Sequence, residues 1–359
     1  MNAVGIDVSK GKSMVAIIRP LGEIVAAPFG IKHSASDIKS LVNLIHSVEG
    51  ESRIVMEHTG RYYEVLAHQL SKADLFVSAI NPKLIKDFDN DSLRKVKSDK
   101  ADAVKIARYA LDKWQNLKQY SVMDELRNQL KTMNRQFNFY MKHKTAMKNN
   151  LIGILDQTYP GINTYFDSPA RSDGSQKWVD FASTYWHVDC VRKMSLHAFI
   201  DHYQKWCKRK KYNFSLSKAE EIYGKAKELV PVLPKDGITK LIIKQAVDQL
   251  NSASVTVEEL RSLMNETASK LPEYPIVMQM KGVGPSLGPQ LIAEIGDVTR
   301  FTHKGALTAF AGVDPGVNGS GSYEQKSVPT SKRGSAALRK TLFQVMDVLI
   351  KTMPQDDPV

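Results

Sequence analysis

The sequence predicts an α/β domain followed by a mainly helical region, and three observations lead there. Short apolar or alternating runs, bounded by Gly and Pro turns, alternate with helical periods across the first third of the chain. Apolar residues then recur on steps of four and three from Leu126 to Ile154. Two of the early runs each carry one carboxylate, Asp7 and Glu57, in an otherwise apolar setting.

In chain order, residues 3–9, 13–19 and 23–29 read as a three-stranded meander, because Lys10-Gly11-Lys12 and Pro20-Leu21-Gly22 separate them. A helix over about 36–46 follows, then a strand over 53–57 that ends at Glu57 before Thr59-Gly60. A helix over 62–70 leads to a strand over 75–80, and Asn81-Pro82 opens the next segment. Ser98 is the N-cap of a further helix whose first turn holds Asp99 and Asp102, three apart and on one side, ahead of the apolar positions Val104, Ile106, Ala107 and Ala110. This order of strands and helices matches the ribonuclease H fold.

Asp7, Glu57, Asp99 and Asp102 are the candidate metal ligands. Hard oxygens from two strand ends and one helix start suit Mg²⁺, which favours carboxylates, water and phosphate oxygens, and paired ions can hold both oxygens of a phosphodiester displacement. Singly, each carboxylate reads equally well as a cap or a partner of the helix dipole.

Composition narrows the setting. The 359 residues are 42% hydrophobic, enough for two or three domains with a real core. No run of apolar residues is long enough to cross a membrane, and no leader pattern opens the chain, so no membrane role and a cytoplasmic location are expected. The two cysteines, Cys190 and Cys207, lack metal-ligand spacing and are read as reduced thiols. A net charge of +12 and a pI near 9.4 favour a polyanionic partner without separating DNA from RNA.

Three segments are expected: 1–114, α/β; 115–273, helical; and 274–359, mainly helical. In the middle segment Leu126, Leu130, Met133, Phe137, Tyr140, Met147, Leu151 and Ile154 form a heptad seam broken by Lys144. A second helical stretch from Ile242 to Leu271 either packs against it as an antiparallel hairpin or serves as a dimer contact, with an ordinary helical bundle as the further alternative. Between them, an irregular stretch over 160–175 precedes a basic run. There Lys208, Arg209, Lys210 and Lys211 lie between Trp206 and Tyr212, a composition that holds phosphates and stacks a base, or is a solvated face.

The last segment contains Lys281-Gly282-Val283-Gly284-Pro285 ahead of a helix over 287–295, a pattern similar to a helix-hairpin-helix contact with a DNA backbone, or a plain Gly-rich turn. Phe310 to Pro315 leads into a loop rich in small residues around Ser320, followed by the cations Lys326, Lys332, Arg333, Arg339 and Lys340. A serine without a nearby base is a poor nucleophile, so one acting here depends on activation of the phosphate it attacks.

Six motifs taken together resemble the DEDD transposases of the insertion sequence 110 family. They are Gly5-Ile6-Asp7-Val8-Ser9-Lys10; Met56-Glu57-His58-Thr59-Gly60 with Tyr62; Ser98 to Ala103; Gly282-Val283-Gly284-Pro285; Ala293 to Asp297 with Arg300-Phe301; and Ala311 to Pro315 through Ser320-Gly321. The resemblance spans both ends of the chain. It implies a RuvC-like domain, a coiled-coil region and a carboxyl-terminal transposase domain. It also implies a bacterial, nucleoid-associated recombinase guided by a bridge RNA that pairs with donor and target DNA, and a homo-oligomer, dimer or tetramer, whose subunits exchange serine and carboxylates. On this basis Asp7, Glu57, Asp99 and Asp102 become the metal-binding set and Ser320 the nucleophile. Ser322 is a competing alignment and Ser331 a more distant one. Relatives continue past Asp357-Pro358-Val359 with a basic, tyrosine-containing tail, so a truncated chain is expected. The alternative enzyme is a RuvC-like nuclease or junction resolvase with no covalent intermediate, and the non-catalytic one is a nucleic-acid-binding scaffold. A sugar kinase of the actin-like fold is disfavoured, because no later Gly-rich phosphate loop with an Asp is present.

Overall fold

Strand β1 (Asn2–Ser9) shows how the first unit is built. Its side chains alternate between faces: Val4, Ile6 and Val8 point into one apolar layer, and Ala3, Gly5 and Asp7 into the other. In the computed structural model the described residues are 1–58, 60, 62–88, 98–120, 125–315, 319–320, 323–324 and 329–353. They divide into two compact units, Met1–Val122 and Met123–Val359.

In the first unit, β1, β2 (Lys12–Ile18), β3 (Ile24–Lys32), β4 (Ser52–Glu57) and β5 (Phe76–Ile80) form one sheet in the order β3-β2-β1-β4-β5. The meander β1-β2-β3 is antiparallel, and β4 and β5 join parallel to β1. Helices α1 (Ala35–Ser47) and α2 (Tyr62–Lys72) cover the face of Val4, Ile6, Ile54 and Met56. Helix α3 (Pro82–Asp87) follows β5, capped by Asn81 and started by Pro82, which suits a first helical position that needs no N–H partner. On the other face α4 (Asp99–Asp112) presents Ala103, Ile106, Ala107 and Ala110 to Ala3 and Val55. This unit is the expected RuvC-like α/β domain. The sequence reading differs from it only at element ends: β3 continues to Lys32, and the segment opened by Asn81-Pro82 is a short helix.

The second unit is helical: α5 (Glu125–Leu155), α6 (Lys177–Thr184), α7 (Asp189–Arg192), α8 (Leu196–Lys210), α9 (Leu216–Glu228), α10 (Gly237–Ser269), α11 (Tyr274–Met278), α12 (Leu287–Ile295), α13 (Lys304–Ala311) and α14 (Ala336–Thr352). A hairpin of β6 (Gly319–Ser320) and β7 (Tyr323–Glu324) precedes α14. Helices α5 and α10 run antiparallel: Arg127 near the start of α5 pairs with Glu273 just past the end of α10, and Lys144 farther along α5 approaches Glu258. The heptad seam is therefore covered within the chain. Leu130 and Phe137 pack with Val257 and Met264, and Leu151 and Leu155 with Ile243 and Leu250.

Between these long helices the stretch from Tyr159 to Ala226 folds around aromatic side chains. Phe181 lies at the centre, its ring 4.5 Å from Tyr185 and 5.6 Å from Trp206. This corrects the base-stacking reading of the basic run. Trp206 is 1% exposed and stacks on Tyr203 and Tyr212, while the Tyr212 hydroxyl donates to Asp180 at 2.7 Å. The 3.6-residue period of α8 turns Trp206 and Cys207 inward and leaves Lys208 and Arg209 outside. Among the described residues no helix is long and apolar enough to cross a membrane, and both cysteines are free thiols.

Candidate active site

The period of two that sorts β1 also places its carboxylate. Asp7 shares the face of Ala3, and Glu57 that of Val55, so both look toward α4. The parallel register pairs Ile6 with Met56, so Asp7 and Glu57 lie side by side one step further along, at the carboxyl ends of their strands. Helix α4 brings the third carboxylate. Ser98 caps it, accepting from the Ala101 N–H at 3.2 Å, and this sets Asp99 and Asp102 in its first turn.

Asp7, Glu57 and Asp102 line one open cleft of about 920 Å³, whose other walls are α3 and the flank of α4. Asp99 is exposed outside that lining but near enough to act on Asp7. Burial first, then the charges of Asp102 and Asp99, push the Asp7 carboxyl up from 3.8 to about 6. Glu57 moves the same way, through burial and then the charges of Asp7 and Asp102, with Lys105 opposing. Repelling carboxylates in a half-buried cleft are an incomplete charge arrangement, and hard oxygens of this kind match a divalent cation in chemistry. Their spacing is looser than a finished cage: among the described residues no group of three or more His, Cys, Asp or Glu is arranged to hold a metal ion.

The cleft also holds three lysines that the sequence reading passed over: Lys83 and Lys86 on α3, and Lys105 on α4. One signal was available for Lys105, since it follows Asp102 by three residues and so shares its side of the helix.

The remaining sequence candidates lie in the second unit. Ser320 is on β6, paired with Tyr323 of β7, and Ser322 lies outside the described residues. Ser331 is tied locally, its hydroxyl donating to Asp314 at 2.6 Å. Lys332 and Arg333 are exposed, with the Lys332 N–H bound to the Gly312 carbonyl. In the Gly-rich turn Lys281 is exposed, and Gly284 has open space where a side chain would be. Gly282 has φ of 74°, which favours glycine, and a Cβ there would press on the Leu349 side chain of α14 at 2.9 Å. Lys208, Arg209 and Lys211 are exposed, whereas Lys210 is engaged with Asp180 at 2.8 Å.

Two family models match the chain. The family model of the DEDD transposases of IS110, described as a transposase, matches residues 4–160 and so contains all four carboxylates. A second, described as the transposase IS116/IS110/IS902 family, matches residues 274–357, which include Ser320. No curated protein matches the chain. The two models take in both ends of the chain and well over half of it, and the protein belongs to the IS110 family of transposases, enzymes of DNA transposition and recombination.

Proposed function

We propose that this transposase cleaves and exchanges DNA strands through a phosphoserine intermediate, with the scissile phosphate held over Asp7, Glu57, Asp99 and Asp102, and that a structured bridge RNA selects donor and target. The observation that carries the reading is the convergence of Asp7, Glu57 and Asp102 on one cleft, where burial and neighbouring carboxylates raise the proton affinity of both Asp7 and Glu57. A divalent cation, Mg²⁺ in this reading, supplies charge neutralisation and polarisation of the phosphate when bound by these carboxylates.

The chain's own residues do the rest. The Ser320 Oγ attacks phosphorus, its proton leaves to solvent, and the bond from phosphorus to the 3′ oxygen breaks as that oxygen takes up a proton from solvent. This yields a serine phosphodiester and a free 3′ hydroxyl. A 3′ hydroxyl from the exchanged strand then attacks the same phosphorus and returns Ser320 to its free form, so no bond energy is lost. The exposed Lys208, Arg209, Lys211, Lys281, Lys332 and Arg333, within a chain of net charge +12, support a nucleic-acid partner through phosphate contacts. Since α10 covers the α5 seam, a homo-oligomer in this reading uses other surfaces.

The test is to incubate the protein with element-flank RNA, Mg²⁺ and labelled donor and target duplexes, and to look for a protein–DNA adduct on a denaturing gel. The expected result is an adduct mapped to Ser320, absent from Ser320→Ala and Asp7→Ala. Cleavage without an adduct, retained in Ser320→Ala, replaces this reading with a hydrolytic nuclease. Tight, salt-sensitive RNA binding without any cleavage replaces it with a binding scaffold.

A further inference from the structure

A phosphodiester brought to Asp7, Glu57 and Asp102 meets repulsion from every one of them. A bound cation offsets the charge at the reacting phosphate, but the neighbouring phosphates of a DNA strand, spaced a few ångströms apart, must lie across the same cleft. The structure gives that cleft a second wall that carries three lysines, Lys83, Lys86 and Lys105, against one carboxylate, Asp87.

Lys105 stands one helical turn beyond Asp102 and is half-buried. Its ammonium donates to the carbonyl of Lys86 at 3.3 Å, a bond from α4 to α3 that crosses the cleft wall and fixes where the charge points. A lysine present only to neutralise a carboxylate would place that bond on Glu57. Here it goes to a main-chain carbonyl, which takes one of three ammonium donors and leaves two for a phosphate oxygen, while the charge acts on Glu57 through space. Lys83 and Lys86, three apart on α3, add two exposed ammonium groups to the same lining. The start of α3 is itself held firm, with Pro82 in its first turn and the Asn81 side chain accepting from the Lys83 N–H at 2.9 Å.

We propose that Lys105, with Lys83 and Lys86 beside it, forms a phosphate-binding wall that takes the non-bridging oxygens of a nucleic-acid backbone laid across the carboxylate cleft. The proposal rests on reading the cleft as the place of strand cleavage, and it assigns the side from which the backbone is held. Lys105 is nearest the carboxylates and contacts the phosphate at or next to the scissile bond. Lys83 and Lys86 contact its neighbours.

The experiment compares full-length wild type with Lys105→Gln, Lys105→Arg and the double variant Lys83→Gln/Lys86→Gln. Affinity for a fluorescent DNA duplex is measured in EDTA across a salt series, alongside melting temperature with and without Mg²⁺. The expected result for Lys105→Gln is roughly tenfold weaker binding at low salt and a salt slope smaller by about one, as for the loss of one phosphate contact. Lys105→Arg restores both. The double variant loses about two from the slope, and because both side chains are exposed it decides the question even if Lys105→Gln does not fold. Wild-type affinity and slope in Lys105→Gln and in the double variant would overturn the proposal, as would an arginine variant as weak as the glutamine one. The Mg²⁺ readout separates the two failures: a wild-type melting temperature that Mg²⁺ leaves unchanged removes the metal reading of the carboxylates, while the salt series in EDTA still decides the lysine wall.

Discussion

Gly5 on β1 and Ala103 on α4 meet backbone to backbone: a Cβ on Gly5 would lie 2.2 Å from the Ala103 carbonyl oxygen and 2.4 Å from the Ala107 nitrogen. Nothing larger than hydrogen fits, and this close approach lets Asp102, one residue before Ala103, reach the cleft with Asp7, two residues after Gly5. The obstructing atoms are main chain, so they cannot swing aside as a side chain would. Gly5→Ala is expected to displace α4, lower stability by at least the roughly 1–3 kcal/mol of an overpacked core, and reduce cleavage more than DNA affinity. Thermal melting and a cleavage assay on the same preparation check this.

Asp7→Asn replaces a repelled carboxylate with a neutral group of the same shape. Without divalent cations the variant is expected to melt higher than wild type, while strand cleavage falls by at least about a hundredfold. Mg²⁺ should raise the wild-type melting temperature and leave that of Asp7→Asn nearly unchanged. A variant that melts lower than wild type in EDTA would contradict the charge conflict read at this site.

The same pair gives a pH signature. The Asp7 carboxyl holds its proton to about 6 in the folded protein and to about 3.8 when unfolded. Its raised value therefore favours folding below about 4, and that advantage is lost as pH rises through 6. Glu57 is shifted in the same direction. The melting advantage of Asp7→Asn over wild type should be near zero at pH 4, grow up to about pH 6 and level off above it. Mg²⁺ affinity, which competes with that proton, should climb over the same interval.

In the second unit, Trp206→Ala should cost roughly 3–5 kcal/mol, the range for losing a large aromatic from a packed core. Changing Lys208, Arg209 and Lys211 together to alanine should leave melting nearly unaltered and weaken RNA binding in a salt-dependent way. Urea unfolding and a filter-binding series separate the core role of Trp206 from the phosphate contacts proposed for the exposed cations.

Glu294 is 7% exposed and accepts from the Asn134 amide at 2.7 Å, with Asn138 and then Lys340 continuing the chain of contacts. Asn134→Leu strands a buried carboxylate and is expected to destabilise by about 1–3 kcal/mol or more. The double variant Asn134→Leu/Glu294→Gln should recover part of that loss, which equilibrium unfolding will show.

How much of this was legible in the sequence depended on period. Val4, Ile6 and Val8 alternate with Ala3, Gly5 and Asp7, so both the strand and the face of its carboxylate could be read, and the same held for Ile54 to Glu57. Ser98 announced the start of α4 through its capping chemistry. The seam from Leu126 to Ile154 was legible as a seam, and its choice of α10 over another chain was not, because an apolar stripe does not name its partner. The aromatic core around Phe181 carried a signal too, since Phe199, Tyr203 and Trp206 fall on one face of α8 at helical spacing. The run of four cations from Lys208 to Lys211 lies directly beside that face, and Trp206 and Tyr212 were read by those neighbours instead of by burial. Lys83 and Lys86 were missed because α3 meets α4 only through the fold, whereas Lys105 was within reach of the three-residue spacing that joins it to Asp102.

The antiparallel pair of α5 and α10 also sets an order of events during synthesis. Leu130 and Phe137 emerge from the ribosome well before Val257 and Met264, the residues that cover them, with more than a hundred residues between. At about 5–20 residues per second the seam waits roughly 5–25 seconds for its partner. During that wait a long apolar stripe stands open beside nascent chains of the same kind, which exposes α5 to chaperone capture or pairing between copies until α10 emerges.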